Sequence, residues 1–165
     1  MREKARLVMT LLEKRSARRK AGKFVVEGPH LVESAAAAGQ IDFVFFAKRS
    51  PLVGQLEKAG IECLEISDRE FRSISEVETP QGILAVVNQT PGVLAEIEQV
   101  ERALIIAAIE VQDPGNLGTI IRSADAVGAT AVLVSRGTVD QYNSKVVRAS
   151  MGSLFNLPII ECQDI

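Results

Sequence analysis

The sequence is poor in aromatic residues and cysteines and has no long apolar run. Aromatic residues make up 4% of its 165 residues and Trp is absent, so the core must consist of aliphatic side chains, as in many α/β proteins. Cys63 and Cys162 lack the spacing of a metal site, so we expect no metal and reduced thiols in a cytoplasmic protein. No apolar run approaches the roughly 20 residues that cross a membrane, so no membrane partner is expected.

The charge of the chain is unevenly distributed along its length. Residues 1–23 contain nine Lys or Arg and two Glu, a net charge of +7, whereas the whole chain carries −2, which leaves −9 for the remainder. A basic end on an acidic body indicates an electrostatic contact with a polyanion such as RNA. The alternative is a solvated helix face that keeps the protein soluble.

The first 90 residues alternate helices with short apolar strands. One helix is predicted over residues 1–20, where Leu7, Val8, Leu11 and Leu12 form an apolar stripe. Further strands are predicted over 23–27, 41–47, 61–66 and 83–87, and helices over 31–38, 52–59 and 68–74, the last one capped by Asp68. This alternation predicts an α/β domain over residues 1–90 with a parallel or mixed sheet.

A second α/β unit is predicted after residues 88–92, which interrupt the pattern. We predict a linker over 91–102 and a unit over 103–165. Its strands are predicted over 104–108, 131–134 and 157–160, and its helices over 116–127 and 143–151. Three parallel strands leave a sheet edge open, so we expect this unit to be incomplete.

The loop that follows the first strand of this unit has the residues best suited to chemistry. Ligands bind at the carboxyl ends of strands in open α/β sheets, and residues 113–125 stand at such an end. We predict that Asn116 caps the next helix. Arg122 lies roughly 9 Å further along this helix, and Gly118, four residues before it, is expected to leave room for a ligand beside the guanidinium. Glu110 is a neighbour in this loop without an assigned role.

Two interpretations of Arg122 remain open at this point. Its apolar neighbours suggest partial burial, and a buried guanidinium needs a partner. The partner is either Asp113 or Asp125 in a structural ion pair, or an RNA phosphate and an ionising ribose hydroxyl. The loop contains neither a Walker motif nor a dinucleotide-binding fingerprint.

Four segments of the chain resemble one known family. Residues 116–124, Asn-Leu-Gly-Thr-Ile-Ile-Arg-Ser-Ala, resemble the first signature motif, Asn-x-Gly-x-x-x-Arg-x-Ala, of the SpoU/TrmH RNA 2′-O-ribose methyltransferases. Residues 145–158 resemble the segment before the third strand of the same family. Residues 15–28 and 79–85 resemble the entry and the last loop of its RNA-recognition domain. The matches cover nearly the whole chain in the expected order.

The resemblance implies a ribosomal-protein-like α/β domain followed by the first part of a knotted, SPOUT-type parallel-sheet methyltransferase domain. It implies transfer of a methyl group from S-adenosylmethionine (AdoMet) to a ribose 2′-hydroxyl of rRNA or tRNA. The family's two later motifs, which hold AdoMet, have no match in residues 1–165, so no cofactor-binding residue is assigned. These residues alone are expected to be inactive, and a complete chain is expected to form a homodimer.

The resemblance also implies which residues of this chain form the site, through the first motif and the basic N-terminal segment. Arg122 is expected to help deprotonate or stabilise the attacking hydroxyl, and Asn116 to shape the catalytic loop and contact the substrate. The residues expected to contact RNA phosphates are Arg15, Arg18, Arg19 and Lys20.

Two other functions compete with a methyltransferase. A non-catalytic, ribosomal-protein-like RNA-binding module explains the basic helix and the first domain equally well, but it does not explain the loop from Asn116 to Arg122. An enzyme that acts on a small nucleotide requires a phosphate-binding loop, which the sequence lacks.

Overall fold

The computed structural model describes residues 1–98 and 100–162 and divides the chain into two compact units, one from Met1 to Gln89 and one that begins at Thr90. No helix in these residues is long and apolar enough to cross a membrane. In the same residues, no three His, Cys, Asp or Glu side chains are grouped as ligands of a metal ion.

Unit 1 is a four-stranded mixed sheet with five helices. Its strands have the spatial order β1-β4-β2-β3, in which β4 pairs antiparallel with β1 and β2, while β2 and β3 are parallel. The elements in chain order are α1 (Arg2–Glu13), α2 (Arg15–Ala21), β1 (Lys23–Glu27), α3 (Pro29–Ala37), β2 (Ile41–Phe46), α4 (Pro51–Lys58), β3 (Glu62–Glu65), α5 (Asp68–Ile74) and β4 (Ile83–Asn88).

The helix predicted over residues 1–20 is broken at Lys14, whose backbone is extended with φ −119° and ψ 116°. Arg18 stabilises the break, because its Nη1 donates hydrogen bonds to the carbonyl oxygens of Leu11 (2.6 Å) and Leu12 (3.1 Å). Carbonyls at the end of a helix lack partners within the helix, so the guanidinium satisfies groups that would otherwise be buried unpaired. Arg18 is only 4% exposed. The prediction that Arg18 contacts RNA is therefore wrong in this structure.

The apolar stripe of α1 packs on one face of the sheet of unit 1, as its spacing predicts. Val8 and Leu11 are fully buried. They belong to a cluster with residues from the strands, from α5 and from the turn between β3 and α5: Val25, Phe43, Phe45, Ile66, Phe71, Ile74, Leu84 and Val86. Burial of this stripe explains why α1 forms, because a basic helix of 12 residues is marginal without tertiary contacts.

Unit 2 has a three-stranded parallel sheet of order β5-β6-β7. Two helical connections link its strands, as the alternation of elements predicts. The elements are α6 (Ala95–Glu98), β5 (Ile105–Ala108), α7 (Pro114–Ala126), β6 (Ala131–Ser135), α8 (Ser144–Ser150), a 3₁₀ turn (Ser153–Phe155) and β7 (Ile159–Cys162).

The segment predicted as a linker, residues 91–102, includes residues that pack on the sheet of unit 2. The N–H of Gly92 donates a hydrogen bond to the carbonyl oxygen of Ile159 at 3.2 Å. Ile97 of α6 packs against Ala131 and Ile160 on one face of the sheet. Helices α7 and α8 contact each other, and the cluster beneath α7 lies on the opposite face, formed by side chains such as Ile106, Val132 and Ile159. The segment 93–100 is too short for its apolar pattern to indicate these contacts.

Candidate active site and RNA-contact residues

Hydrogen bonds connect the loops that follow β5 and β6 at the carboxyl edge of the sheet. They include Glu110 N–H to Ser135 Oγ (2.8 Å), Thr138 Oγ–H to Ala108 O (3.2 Å) and Val139 N–H to Val111 O (2.9 Å). Such bonds hold the backbone of both loops in one arrangement, which gives a binding site rigid support. The loop after β5 then leads directly into α7.

Asp113, and not Asn116, caps α7. The Asp113 Oδ1 accepts a hydrogen bond from the backbone N–H of Asn116 at 2.8 Å, and Pro114 occupies the first helical position. The prediction of Asn116 as the cap is wrong because the helix begins two residues earlier than its apolar pattern indicates. The side chain of Asn116 is exposed and has no hydrogen-bond partner among the described residues. It is therefore available to a ligand.

A groove of about 500 Å³ lies beside this helix start. Its polar lining includes the side chains of Glu110, Asn116 and Thr119. The remaining lining residues are Ile109, Val111, Gln112 and Ile120. The groove adjoins the carboxyl end of β5, the position where parallel α/β sheets bind ligands.

Arg122 is exposed, contrary to the partial burial that its apolar neighbours suggest. Both carboxylates considered as ion-pair partners are occupied: Asp113 caps α7, and Asp125 Oδ2 accepts a hydrogen bond from Asn156 Nδ2 at 2.7 Å. Within residues 1–98 and 100–162, no acidic side chain forms an ion pair with Arg122. The structural ion-pair interpretation is therefore wrong. Arg122 does not line the groove beside Asn116, so these two motif residues present their side chains to different places on α7.

Gly118 serves the packing of two helices. A Cβ atom at this position would lie 2.4 Å from Ala149 Cβ and 2.8 Å from the carbonyl oxygen of Val146. Both of these residues belong to α8, so the missing side chain allows α7 and α8 to approach closely. The prediction that Gly118 leaves room for a ligand beside Arg122 is wrong, because α8 occupies that space.

Glu110 has the left-handed backbone conformation that glycine adopts more readily, with φ of 50°. For a residue with a side chain, this conformation costs of order 1–3 kcal/mol. Its Cγ lies 3.7 Å from the position that a Cβ atom would occupy on Gly137, so the side chain extends over the loop that follows β6. Glu110 is exposed, and its carboxylate has no partner among the described residues. Glu110 had no assigned role from its sequence context, because local sequence does not reveal a positive φ at a glutamate.

Three of the four predicted RNA-contact residues are exposed. Arg15, Arg19 and Lys20 lie on α2, which contains no acidic residue, and two of them are in its last turn. Basic residues that are concentrated on one exposed helix favour contact with a polyanion. Whether these residues contact RNA remains a prediction.

A second groove, of about 320 Å³, lies in unit 1, and the sequence did not reveal it. The cations Lys48 and Arg72 line it together with Gln81, which belongs to one of the segments that carry the family resemblance. Gln81 Oε1 lies 2.9 Å from the position that a Cβ atom would occupy on Gly28, so the turn after β1 meets this loop. Lys48 and Arg72 are separated in sequence and belong to no basic run, which explains why they were missed.

Comparison with family models and known sequences identifies relatives of both units. Residues 4–85 match a model described as the MRM3-like substrate binding domain, and residues 103–165 match the SpoU rRNA Methylase family. The chain is 40% identical over 149 residues to the 23S rRNA (guanosine(2553)-2'-O)-methyltransferase RlmP of Bacillus subtilis, covering 90% of this chain and 58% of that protein. It is 34% identical to the human mitochondrial rRNA methyltransferase 3, covering 93% of this chain and 38% of that protein.

Solved structures give the same result for the fold. The SpoU methyltransferase AviRb from Streptomyces viridochromogenes, in complex with the cofactor AdoMet, matches with a TM-score of 0.88 and 30% identity, covering 98% of this chain and 63% of that chain. The AdoMet-bound rRNA methyltransferase from Sinorhizobium meliloti matches with a TM-score of 0.84 and 30% identity, covering 95% and 60%. The chain thus spans less than two thirds of each of these proteins. The predicted SPOUT-type α/β fold is confirmed, and the chain belongs to the SpoU/TrmH family of RNA methyltransferases.

Proposed function

We propose that the protein transfers a methyl group from AdoMet to a ribose 2′-hydroxyl of ribosomal RNA. One observation carries the proposal: the motif with Asn116 and Arg122 follows the carboxyl end of β5, and Arg122 is exposed with no ion-pair partner among the described residues. The relatives from Bacillus subtilis and human mitochondria, whose names describe methylation of rRNA, support it. A module that only binds RNA has no use for this arrangement.

Arg122 would act on the attacking oxygen. A ribose hydroxyl is a weak nucleophile, and its reactivity rises as its proton is lost and negative charge develops on the oxygen. A guanidinium remains charged at neutral pH, so it cannot remove the proton itself, but it stabilises the alkoxide that forms. Arg122 has the charge and exposure for this role, and the proton then leaves to water.

Asn116 would position the substrate. Its amide has both donor and acceptor groups, and neither is used within the described part of the chain. In the groove beside Glu110 and Thr119, it can form hydrogen bonds with the sugar or the base of a nucleotide. Because Arg122 does not line this groove, we expect Asn116 to hold the RNA strand and Arg122 to contact the reacting oxygen.

AdoMet supplies the methyl group as a sulfonium, but the groove beside Asn116 does not enclose a ligand of this kind. The groove is lined only by the loop after β5 and the first half of α7, so it has a single wall. An enclosed cofactor needs convergent polar groups on several sides. Within residues 1–98 and 100–162, no residue is therefore assigned to AdoMet.

Unit 1 would bind the RNA, and its match to a substrate-binding domain supports this role. The exposed cations on α2 would contact phosphates, which hold the strand without reading its sequence. The proposed substrate is rRNA, because the two relatives named above are rRNA methyltransferases. The proposal also includes a homodimer, which rests on the family resemblance. It includes a cytoplasmic location, which the two free cysteines support.

The test is methyl transfer by an Arg122→Ala variant of the full natural protein. Radiolabelled AdoMet and ribosomal RNA that lacks the modification are incubated with enzyme, and RNA affinity is measured in parallel. Loss of one group that stabilises the transition state lowers the rate by roughly 10²–10³-fold. We expect this loss with RNA affinity nearly unchanged. Arg102→Ala is the matched control, because Arg102 is also an exposed arginine of unit 2 but lies outside the motif.

Two results would contradict the proposal. Unchanged methyl transfer by Arg122→Ala would remove the guanidinium from the reaction. Absence of transfer by the unmodified protein, with RNA bound, would favour the non-catalytic RNA-binding module.

A further inference from the structure

Glu110 is a carboxylate in a strained backbone conformation at the edge of the groove in unit 2. We infer that it accepts a hydrogen bond from a ribose hydroxyl of the bound RNA strand and thereby favours RNA over nucleic acids without that hydroxyl. The inference rests on the proposed function, because it requires RNA in this groove. It gives a role to a residue outside the signature motif.

The strained backbone of Glu110 is not explained by the end of a helix, because Glu110 does not follow one. Glu110 and Met151 are the non-glycine residues with positive φ in the part of the chain that the structure describes. Met151 ends α8, where a left-handed residue is a common helix stop. Glu110 instead follows β5, where its backbone N–H donates to Ser135 Oγ. Glycine would adopt this conformation without strain, so a glutamate here indicates a use for its side chain.

The surroundings of Glu110 suit a sugar. Asn116 and Thr119 add polar groups to the groove, and the apolar side chains of Ile109 and Ile120 provide a surface for the face of a ribose or a base. Ile109 is 57% exposed, so its side chain is available to a ligand in the groove. Apolar walls with a few convergent polar groups are the usual composition of small-ligand sites.

A carboxylate limits which part of a nucleic acid can bind beside it. Phosphate groups are repelled, and a carboxylate has no proton to donate at neutral pH. The ribose 2′-hydroxyl is a hydrogen-bond donor, and DNA lacks it. The carboxylate of Glu110 has no partner among residues 1–98 and 100–162, so no internal bond must break before a hydroxyl binds.

The experiment compares Glu110→Gly with Met151→Gly. Both substitutions remove a side chain from a left-handed residue, but only the first one changes the groove. Fluorescence anisotropy at fixed salt measures affinity for a single-stranded uridine-rich RNA oligonucleotide and for its fully 2′-O-methylated counterpart, which lacks the hydroxyl donor. Thermal unfolding of each variant is recorded in the same buffer.

We expect the unmodified protein to prefer the RNA with free hydroxyls. Glu110→Gly should reduce this preference by about tenfold, the effect of one hydrogen bond to a charged acceptor. Met151→Gly should leave the preference unchanged. The melting temperature of Glu110→Gly should be no lower than that of the unmodified protein, since glycine adopts this φ without strain.

Three results would overturn the inference: no preference in the unmodified protein, an unchanged preference in Glu110→Gly, or a lower melting temperature that shows a structural role. Its failure can be separated from that of the proposed function by the methyl-transfer assay with unmodified protein. If methyl transfer occurs while Glu110→Gly keeps the preference, only the role of Glu110 is lost. If no methyl transfer occurs, the proposed function fails whatever the preference.

Discussion

The close approach of α7 and α8 predicts that Gly118→Ala destabilises unit 2. The added Cβ would lie 2.4 Å from Ala149 Cβ, about 1 Å closer than ordinary contact, and 2.8 Å from the carbonyl oxygen of Val146. The second atom is backbone, so it cannot rotate away, and the helices must separate. Overpacking of this kind costs up to about 3 kcal/mol, while replacing glycine by alanine inside a helix returns about 1 kcal/mol. The net loss should be about 2 kcal/mol.

Unfolding of unit 2 can be followed separately because the chain has one Tyr, Tyr142 in unit 2, and no Trp. A loss of about 2 kcal/mol lowers the melting temperature recorded by tyrosine fluorescence by roughly 8–16 °C for a domain of this size. The control is Gly54→Ala in α4 of unit 1, where a Cβ would meet no atom within 4 Å. It should stabilise unit 1 by about 0.5–1 kcal/mol, measured by circular dichroism. Stabilisation of unit 2 by Gly118→Ala would refute the reasoning.

Two further predictions concern buried polar groups. Arg18→Met should lower the free energy of unfolding of unit 1 in urea by about 2–3 kcal/mol, because the carbonyls of Leu11 and Leu12 lose a charged donor; an unchanged value would mean that water replaces it. Burial raises the pKa of Tyr142 above its usual value of 10.0. The negative charges of Asp140 and Glu161 raise this pKa further, whereas a hydrogen bond with Gln141 lowers it. A group whose pKa is higher in the folded state than in the unfolded state contributes stability below the unfolded pKa and loses it at higher pH. Unit 2 should therefore lose stability as the pH rises above 10, and the absorbance of tyrosinate should titrate at a higher pH than that of free tyrosine. Titration at or below that value would contradict the burial of this ring.

The alternation of apolar strands and helices was sufficient to predict two α/β units, and the family resemblance supplied the SPOUT-type fold. The apolar stripe of Val8 and Leu11 packs where its spacing predicts. The break at Lys14 was not predictable, because it depends on a side chain, Arg18, that reaches back by seven residues. Local periodicity continues through this position and therefore indicates a single helix.

Helix starts were predicted less well than helix interiors. α5 was expected to be capped by Asp68, but Ser67 and Glu70 form a capping box, and α7 begins at Pro114 instead of Asn116. Neighbouring residues with similar capping ability compete, and the path of the preceding chain decides which one is used. The difference matters for the site, because capping of α7 by Asp113 leaves the side chain of Asn116 available to a ligand.

The candidate site was predicted in part. The sequence identified the loop after β5 and the motif residues Asn116 and Arg122, but spacing alone could not decide whether Arg122 was buried or exposed. It also could not reveal that Gly118 contacts α8, since Ala149 lies 31 residues further along the chain. The groove, the strain at Glu110 and the two cations Lys48 and Arg72 depend on tertiary contacts and became visible only in the structure.

The position of the transferred methyl group tests the central claim most directly. Ribosomal RNA methylated with radiolabelled AdoMet by the full natural protein is hydrolysed in alkali, which cleaves only linkages with a free 2′-hydroxyl. The proposed reaction predicts that the label is recovered in alkali-resistant dinucleotides and that Arg122→Ala lowers its rate of incorporation by roughly 10²–10³-fold. Recovery of the label in mononucleotides would show methylation of a base and would contradict the role of Arg122 at a ribose oxygen.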